Sequence, residues 1–92
     1  MINLRKAIDL SKSICESEFK GYTPVDAHMY KNFFYINIEK PERLDVDLAD
    51  EYNETIVKID KISGKYKIID FLDLTSEDGY FDKRIKLDIT NL

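Results

Sequence analysis

The segment that most constrains the fold is "IVKIDKISGKYKII", residues 56 to 69, because it has the pattern of two β-strands joined by a short polar loop. If the loop spans residues 61 to 64, the paired positions form one continuous apolar side: Val57, Ile59, Tyr66 and Ile68. A three-residue loop would instead place Ile59 opposite Lys67, so the four-residue loop is the better register. Gly64 can adopt the positive φ that closes such a loop.

The other side of this hairpin is mixed: it carries Ile56, Lys58, Lys67, Ile69 and Phe71. The strand predicted at residues 30 to 39 behaves similarly, because Phe33 and Tyr35 point away from its main apolar side. Three arrangements would cover this second face: curling of the sheet over itself, shielding by the C-terminal segment, or contact with another chain. The candidate interface residues, in a homodimer or with a different protein, are Phe33, Ile56, Ile69 and Phe71.

Residues 4 to 20 are predicted to form a helix, because apolar residues recur there at spacings of three and four. Asn3 is suited to cap its beginning, and Gly21 follows its end. Cys15 lies on the apolar stripe, where a buried thiol behaves as a small hydrophobic group. It is the only cysteine, so the chain forms no internal disulfide, and this fits a reducing compartment.

The rest of the chain is predicted to be mostly strand. The strands are expected at 30 to 39, 53 to 60, 65 to 74, and in a last segment containing Ile85, Leu87 and Ile89. Thr23-Pro24 is predicted to open a loop, residues 75 to 79 a turn, and "RLDVDLAD" either an edge strand or an acidic loop. We therefore expect one α+β domain over residues 1 to 92, with the N-terminal helix packed on an antiparallel sheet of four to five strands.

Negative charge is concentrated between residues 39 and 54, where seven acids stand against two bases in a chain of net charge −4. Binding to nucleic-acid phosphates requires a basic surface, so no direct nucleic-acid ligand is expected. An acidic surface instead accelerates the encounter with a basic protein. The candidate partner-binding residues are Asp45, Asp47, Asp50, Glu51 and Tyr52, with Tyr35 as a second aromatic anchor.

No pattern in the sequence predicts catalysis or a cofactor. His28 is expected in a surface loop without an orienting partner, so it does not form a nucleophile–base pair with Cys15. The acidic stretch "DVDLADEYNE" lacks the glycine and the final glutamate that an EF-hand calcium loop needs. We expect no enzymatic activity, no cofactor and no bound metal. Because we find no signal peptide and no apolar run long enough to cross a bilayer, we expect a cytoplasmic protein with no membrane contact.

The order of a leading helix, the strand "FFYINI" and the hairpin resembles two groups of small bacterial domains, the PepSY-like domains and the immunity proteins of toxin–immunity systems. Their hairpin reads approximately V-x-V-D-x-x-x-G, matched here by Val57, Ile59, Asp60 and Gly64. PepSY-like domains usually belong to exported or membrane-attached proteins, so the lack of a signal or an anchor favours the immunity-like interpretation. This resemblance implies a protein that neutralises a basic toxin or nuclease by binding it. The alternatives are an acidic phage-type inhibitor of a nucleic-acid enzyme and a homo-oligomeric structural or ligand-binding module.

Overall fold

The computed structural model describes residues 1 to 40 and 55 to 90. The helices and strands are, in chain order, α1 (Leu4–Glu18), β1 (Thr23–Tyr30), β2 (Phe33–Glu39), β3 (Thr55–Asp60), β4 (Tyr66–Ile69), α2 (Phe71–Thr75), α3 (Tyr80–Lys83) and β5 (Ile85–Leu87). The strands form one antiparallel sheet in the order β4-β3-β2-β1-β5. The predicted α+β class is therefore confirmed, with α1 packed on a five-stranded sheet and two short helices added.

Helix α1 begins where the sequence predicts, because the Asn3 side chain accepts a hydrogen bond from the Lys6 backbone N–H at 2.9 Å. It ends at Glu18, two residues before the predicted end, and the Phe19 N–H still donates to the Cys15 carbonyl at 3.0 Å. Its buried stripe consists of Ala7, Ile8, Ser11, Ile14 and Cys15. This stripe packs on one side of the sheet and forms the first hydrophobic core with residues of β1, β2 and β3.

The predicted hairpin register is confirmed, since Ile59 pairs with Tyr66 and Val57 with Ile68. The four-residue loop is closed by a hydrogen bond of 2.9 Å from the Gly64 N–H to the Asp60 carbonyl, with Gly64 at a φ of 76°. The Asp60 carboxylate also accepts backbone N–H groups of the loop, and these hydrogen bonds lower the pKa of Asp60.

Two parts of the predicted element order are wrong. Residues 23 to 30 form strand β1, where the sequence predicts a loop, because β2 and β5 pair with this segment on both sides. A register irregularity between Pro24 and Asp26 interrupts the alternation by which a strand is recognised. The predicted strand of residues 65 to 74 ends at Ile69, because the Asp70 and Asp73 side chains form a capping box that starts helix α2.

The second face of the sheet is covered by α2 and α3. Here Leu74 and Tyr80 are buried with β-strand residues in a second hydrophobic core, which consists of Tyr30, Tyr35, Ile56, Ile69, Leu74 and Tyr80. Of the three arrangements that the sequence left open, shielding by the C-terminal segment is the one that the structure shows.

The first strand of the sequence prediction begins at Phe33 in the structure, three residues later than expected. The segment "RLDVDLAD", for which an edge strand or a loop was predicted, lies outside the described residues. Among the helices of residues 1 to 40 and 55 to 90, none is both long and apolar enough to cross a membrane.

Candidate functional site

The residues from Asp70 to Lys83 form α2, a turn and α3, and this segment is called the helical cap below. The cap lies on the second face of the sheet, where its two most buried apolar side chains are Leu74 and Tyr80, 2% and 1% exposed. The ring of Tyr80 packs on Tyr35 at a centroid distance of 4.7 Å and edge-on against Tyr30 at 5.6 Å. Aromatic packing therefore fixes the position of α3 on the sheet.

Polar contacts between the cap and the sheet converge on Glu77, in the turn between the two helices. Its Oε1 accepts hydrogen bonds from the Tyr35 hydroxyl at 2.7 Å and from Lys58 Nζ at 2.9 Å. The Lys58 ammonium also lies 4.4 Å from the centroid of the Phe33 ring. Burial, and then the hydrogen bond to Glu77, raise the pKa of Tyr35 far above its ordinary value.

Two further contacts hold the cap. The Tyr30 hydroxyl donates to the Asp78 backbone carbonyl. The Arg84 guanidinium, directly after α3, lies 5.4 Å from the Tyr80 ring centroid and 5.1 Å from that of Phe81. Burial raises the pKa of the Tyr80 phenol, while Arg84 acts in the opposite direction.

The outer surface of the cap combines exposed apolar side chains with acids. Leu72 and Phe81 are 70% and 43% exposed, and the half-buried Phe71 lies beside Phe81 at a ring distance of 5.8 Å. The cap contains one base, Lys83 at its end, and five acids: Asp70, Asp73, Glu77, Asp78 and Asp82. All of these except Glu77 are exposed. Aromatic and large apolar residues next to charged residues have the arrangement of a protein-binding surface, with anchors and a polar rim.

Of the residues predicted from sequence to bind a partner or form an interface, Phe71 is the one that the described part of the chain places in the cap. Tyr35 is fully buried at 0% exposure, so its side chain is an anchor for the cap and not for another protein. Ile56 and Ile69 lie in the second core, while Phe33 and Phe71 are half-buried. The predicted acidic residues with their tyrosine are outside the described residues: Asp45, Asp47, Asp50, Glu51 and Tyr52.

The prediction for His28 is wrong in its location. His28 lies in β1 and is only 7% exposed, because the segment expected to be a loop is a strand. Burial lowers the pKa of His28, and burial raises the pKa of Cys15, which lies in the first core as predicted. The sheet separates the two side chains, since His28 alternates with the first-core residue Ala27. Within the described ranges, no three His, Cys, Asp or Glu side chains are grouped so that they could hold a metal ion.

Sequence reasoning missed the cap as a surface because "FLDL" extends the strand pattern of the hairpin. The signal that could have revealed it is the spacing of Asp70 and Asp73, which is that of a capping box. A second signal is the density of acids around Phe71, Leu72 and Phe81, which a buried strand would not carry.

Comparisons with known proteins add no assignment: no protein-family model matches the chain, and no significant match is found among curated proteins or solved structures. The functional assignment therefore rests on the chain's own residues and geometry.

Proposed function

We propose that this chain is a non-enzymatic protein that binds and neutralises a basic protein, in the manner of a bacterial immunity protein. The observation that carries the proposal is the outer surface of the helical cap, where Leu72 and Phe81 are exposed on a segment with four exposed acids and one base, Lys83, at its end. Isolated exposed apolar residues are ordinary, but here two lie on one short acidic segment, and one of them, Phe81, lies beside the half-buried Phe71.

The partner is expected to be basic because of charge complementarity. The exposed carboxylates of the cap attract a positive surface and speed the encounter, and the apolar side chains then slow dissociation. A toxin that acts on nucleic acid has such a positive surface, since it must bind phosphates. The acidic segment of residues 39 to 54 has the same sign of charge and adds to the attraction. The proposal places the protein in the cytoplasm, where it protects the cell that makes it.

The first experiment identifies the partner. The tagged full chain is used to isolate bound proteins from the native host, which are identified by mass spectrometry, expressed separately and tested for direct binding and for loss of their activity. The proposal requires a basic protein whose activity is blocked at equimolar ratio. Recovery of only a second copy of this chain would overturn it and favour the homo-oligomeric module.

The second experiment tests whether the cap is the binding surface. Leu72→Ser is compared with Ile62→Ser, in which an apolar side chain of similar exposure, 63% against 70%, is removed from the β3–β4 loop. We expect Leu72→Ser to weaken binding about tenfold, since loss of an interface anchor costs ~1–2 kcal/mol, and Ile62→Ser to leave it unchanged.

The charge of the cap is tested in the same assay. Asp78→Asn with Asp82→Asn removes two cap charges, whereas Asp9→Asn with Glu16→Gln removes two exposed charges from α1. Only the cap pair is expected to slow association and to reduce its dependence on salt. Equal effects of both pairs would show that the partner does not bind at the cap.

A further inference from the structure

His28 is buried on the side of the sheet that the cap covers. It is 7% exposed, and its Nδ1 is buried without a hydrogen-bond partner among the described residues. Its cross-strand neighbours are Tyr35 in β2 and Lys86 in β5. A buried imidazole with an unpaired nitrogen lacks the acceptor that would stabilise its protonated form.

The charged groups around His28 are mostly positive. Arg84, between α3 and β5, and Lys86, in β5, are both coupled electrostatically to the imidazole. Asp26, two residues earlier on the same strand, is the opposing carboxylate, and its Oδ1 lies 4.0 Å from Lys86 Nζ. Burial, and then Arg84, lower the pKa of His28, while Asp26 acts in the opposite direction.

The other titratable groups on this face are three phenols, Tyr30, Tyr35 and Tyr80, and the ion pair of Lys58 with Glu77, which also accepts the Tyr35 hydroxyl. Burial raises the pKa of Tyr35 and of Tyr80 above the ordinary phenol value, so both are uncharged in the range where histidine titrates. These two phenols therefore do not compensate a positive charge on His28.

Protonation of His28 adds a buried positive charge that is repelled by Arg84 and Lys86. Both of these residues lie on the segment that fixes the C-terminal end of the cap. This segment has a short attachment, because β5 pairs with β1 only from Ala27 to Met29. We propose that protonation of His28 releases α3 and β5 from the sheet and thereby disassembles the binding surface of the cap, so that the partner is held at neutral pH and released in acid. The regulatory role rests on the proposed function.

The direction of the effect follows from linkage. Since the folded state favours the neutral imidazole, the pKa of His28 is lower in the folded chain than the ordinary 6.5. The docked cap is thus fully stabilised above the ordinary histidine pKa and loses this stabilisation as the pH falls through the lower, folded value.

The test uses the full chain without a partner. The His28 ring protons and the backbone amides are followed by NMR from about pH 7.5 to about pH 4.5, with hydrogen exchange at several pH values. We expect His28 to titrate below the ordinary pKa, and amides of α3 and β5 to lose protection with the same midpoint while those of α1 keep it. His28→Gln, whose side chain carries no charge, should abolish this pH-dependent loss of protection, called the step below.

A surface variant keeps the test independent of any folding defect in His28→Gln. Lys86, whose side chain is 75% exposed, can be changed to Gln with little effect on packing. Because Lys86 contributes to lowering the pKa of His28, Lys86→Gln should move the step to higher pH. Titration of His28 without any change in the cap amides, or a step that persists in His28→Gln, would overturn the switch.

The outcomes for the switch and for the proposed function are separable. If a basic partner binds at the cap and the isolated chain shows no His28-dependent step, the switch is wrong and the proposed function stands. If the step is present and no basic protein binds the cap, the proposed function is wrong. If the loss of protection is observed but a partner binds equally at pH values above and below its midpoint, the regulatory role is excluded.

Discussion

Tyr35 joins the two layers of the molecule at the scale of a single side chain. Its ring packs on Tyr80, and its hydroxyl donates to Glu77 Oε1, which also accepts from Lys58. Lys58 and Glu77 are about three-quarters buried, with side-chain exposures of 22% and 23%. A hydrogen bond to a charged group in such surroundings contributes more than one between neutral groups in water. The position of Glu77 therefore depends on two donors: Tyr35 on β2 and Lys58 on the hairpin.

Tyr35→Phe keeps the ring and removes only the donor. We expect the free energy of unfolding to fall by ~1–2 kcal/mol, because Glu77 loses a partner in a partly buried site. Urea denaturation followed by circular dichroism measures the change. The matched control is Tyr66→Phe, which removes the hydrogen bond of 2.9 Å from an exposed tyrosine to Glu18 and should cost less than ~0.5 kcal/mol. Similar losses in both variants would contradict the importance of the Tyr35 contact.

At the scale of the elements, two glycines share the same positive φ but lie in turns that are packed differently. Gly64 in the β3–β4 loop and Gly79 before α3 both have a φ of 76°. A Cβ on Gly64 would meet only Ile2 Cγ2, at 4.0 Å, whereas a Cβ on Gly79 would lie 3.3 Å from the Tyr30 hydroxyl oxygen. That hydroxyl bonds to the Asp78 carbonyl, so Gly79 lies at the point where the cap turns onto the sheet.

Gly64→Ala and Gly79→Ala should therefore differ in cost. Both place alanine in the left-handed region, at ~1–2 kcal/mol, but Gly79→Ala must also displace Tyr30 or α3. We expect Gly79→Ala to destabilise the chain by at least ~1 kcal/mol more than Gly64→Ala and to alter the near-ultraviolet circular dichroism of the tyrosines. Equal destabilisation with unchanged spectra would show that the cap turn adapts freely.

At the scale of the whole molecule, one sheet separates two cores of different kinds. The first core is mostly aliphatic and includes α1, a helix of fifteen residues. In the second core three of the six residues are tyrosines, and it is closed by α2 and α3, of five and four residues. The short helices have few turns of their own, so their stability depends on packing against the sheet. We expect the cap to open locally more often than the rest of the structure.

Leu74→Ala tests this separation of the two cores. Its side chain, 2% exposed, is the apolar group by which α2 enters the second core. We expect loss of hydrogen-exchange protection confined to residues 70 to 83, because the cavity, at ~2–4 kcal/mol, weakens only the cap. Ile14→Ala, an equally buried change in α1, should lower protection throughout the chain. Uniform loss in both variants would show that the cap and sheet unfold as one unit.

The sequence alone determined α1 and the β3–β4 hairpin, down to the pairing of Val57 with Ile68, because their signals are local. Helical periodicity, strand alternation and a turn glycine act over a few residues. The same local patterns were insufficient for β1, where a register irregularity interrupts the alternation, and for α2, where the apolar run of the hairpin continues past the capping box.

Only the tertiary structure decided what covers the second face. The Tyr35–Glu77 contact joins residues 42 positions apart, and no local pattern indicates that a glutamate so distant lies over this tyrosine. The burial of Tyr80 and the exposure of Phe81 follow from the packing of α3 on the sheet. The candidate surface exists because α2 and α3 pack on the second face of the sheet, against strand residues distant in sequence. This packing depends on the fold of the whole chain.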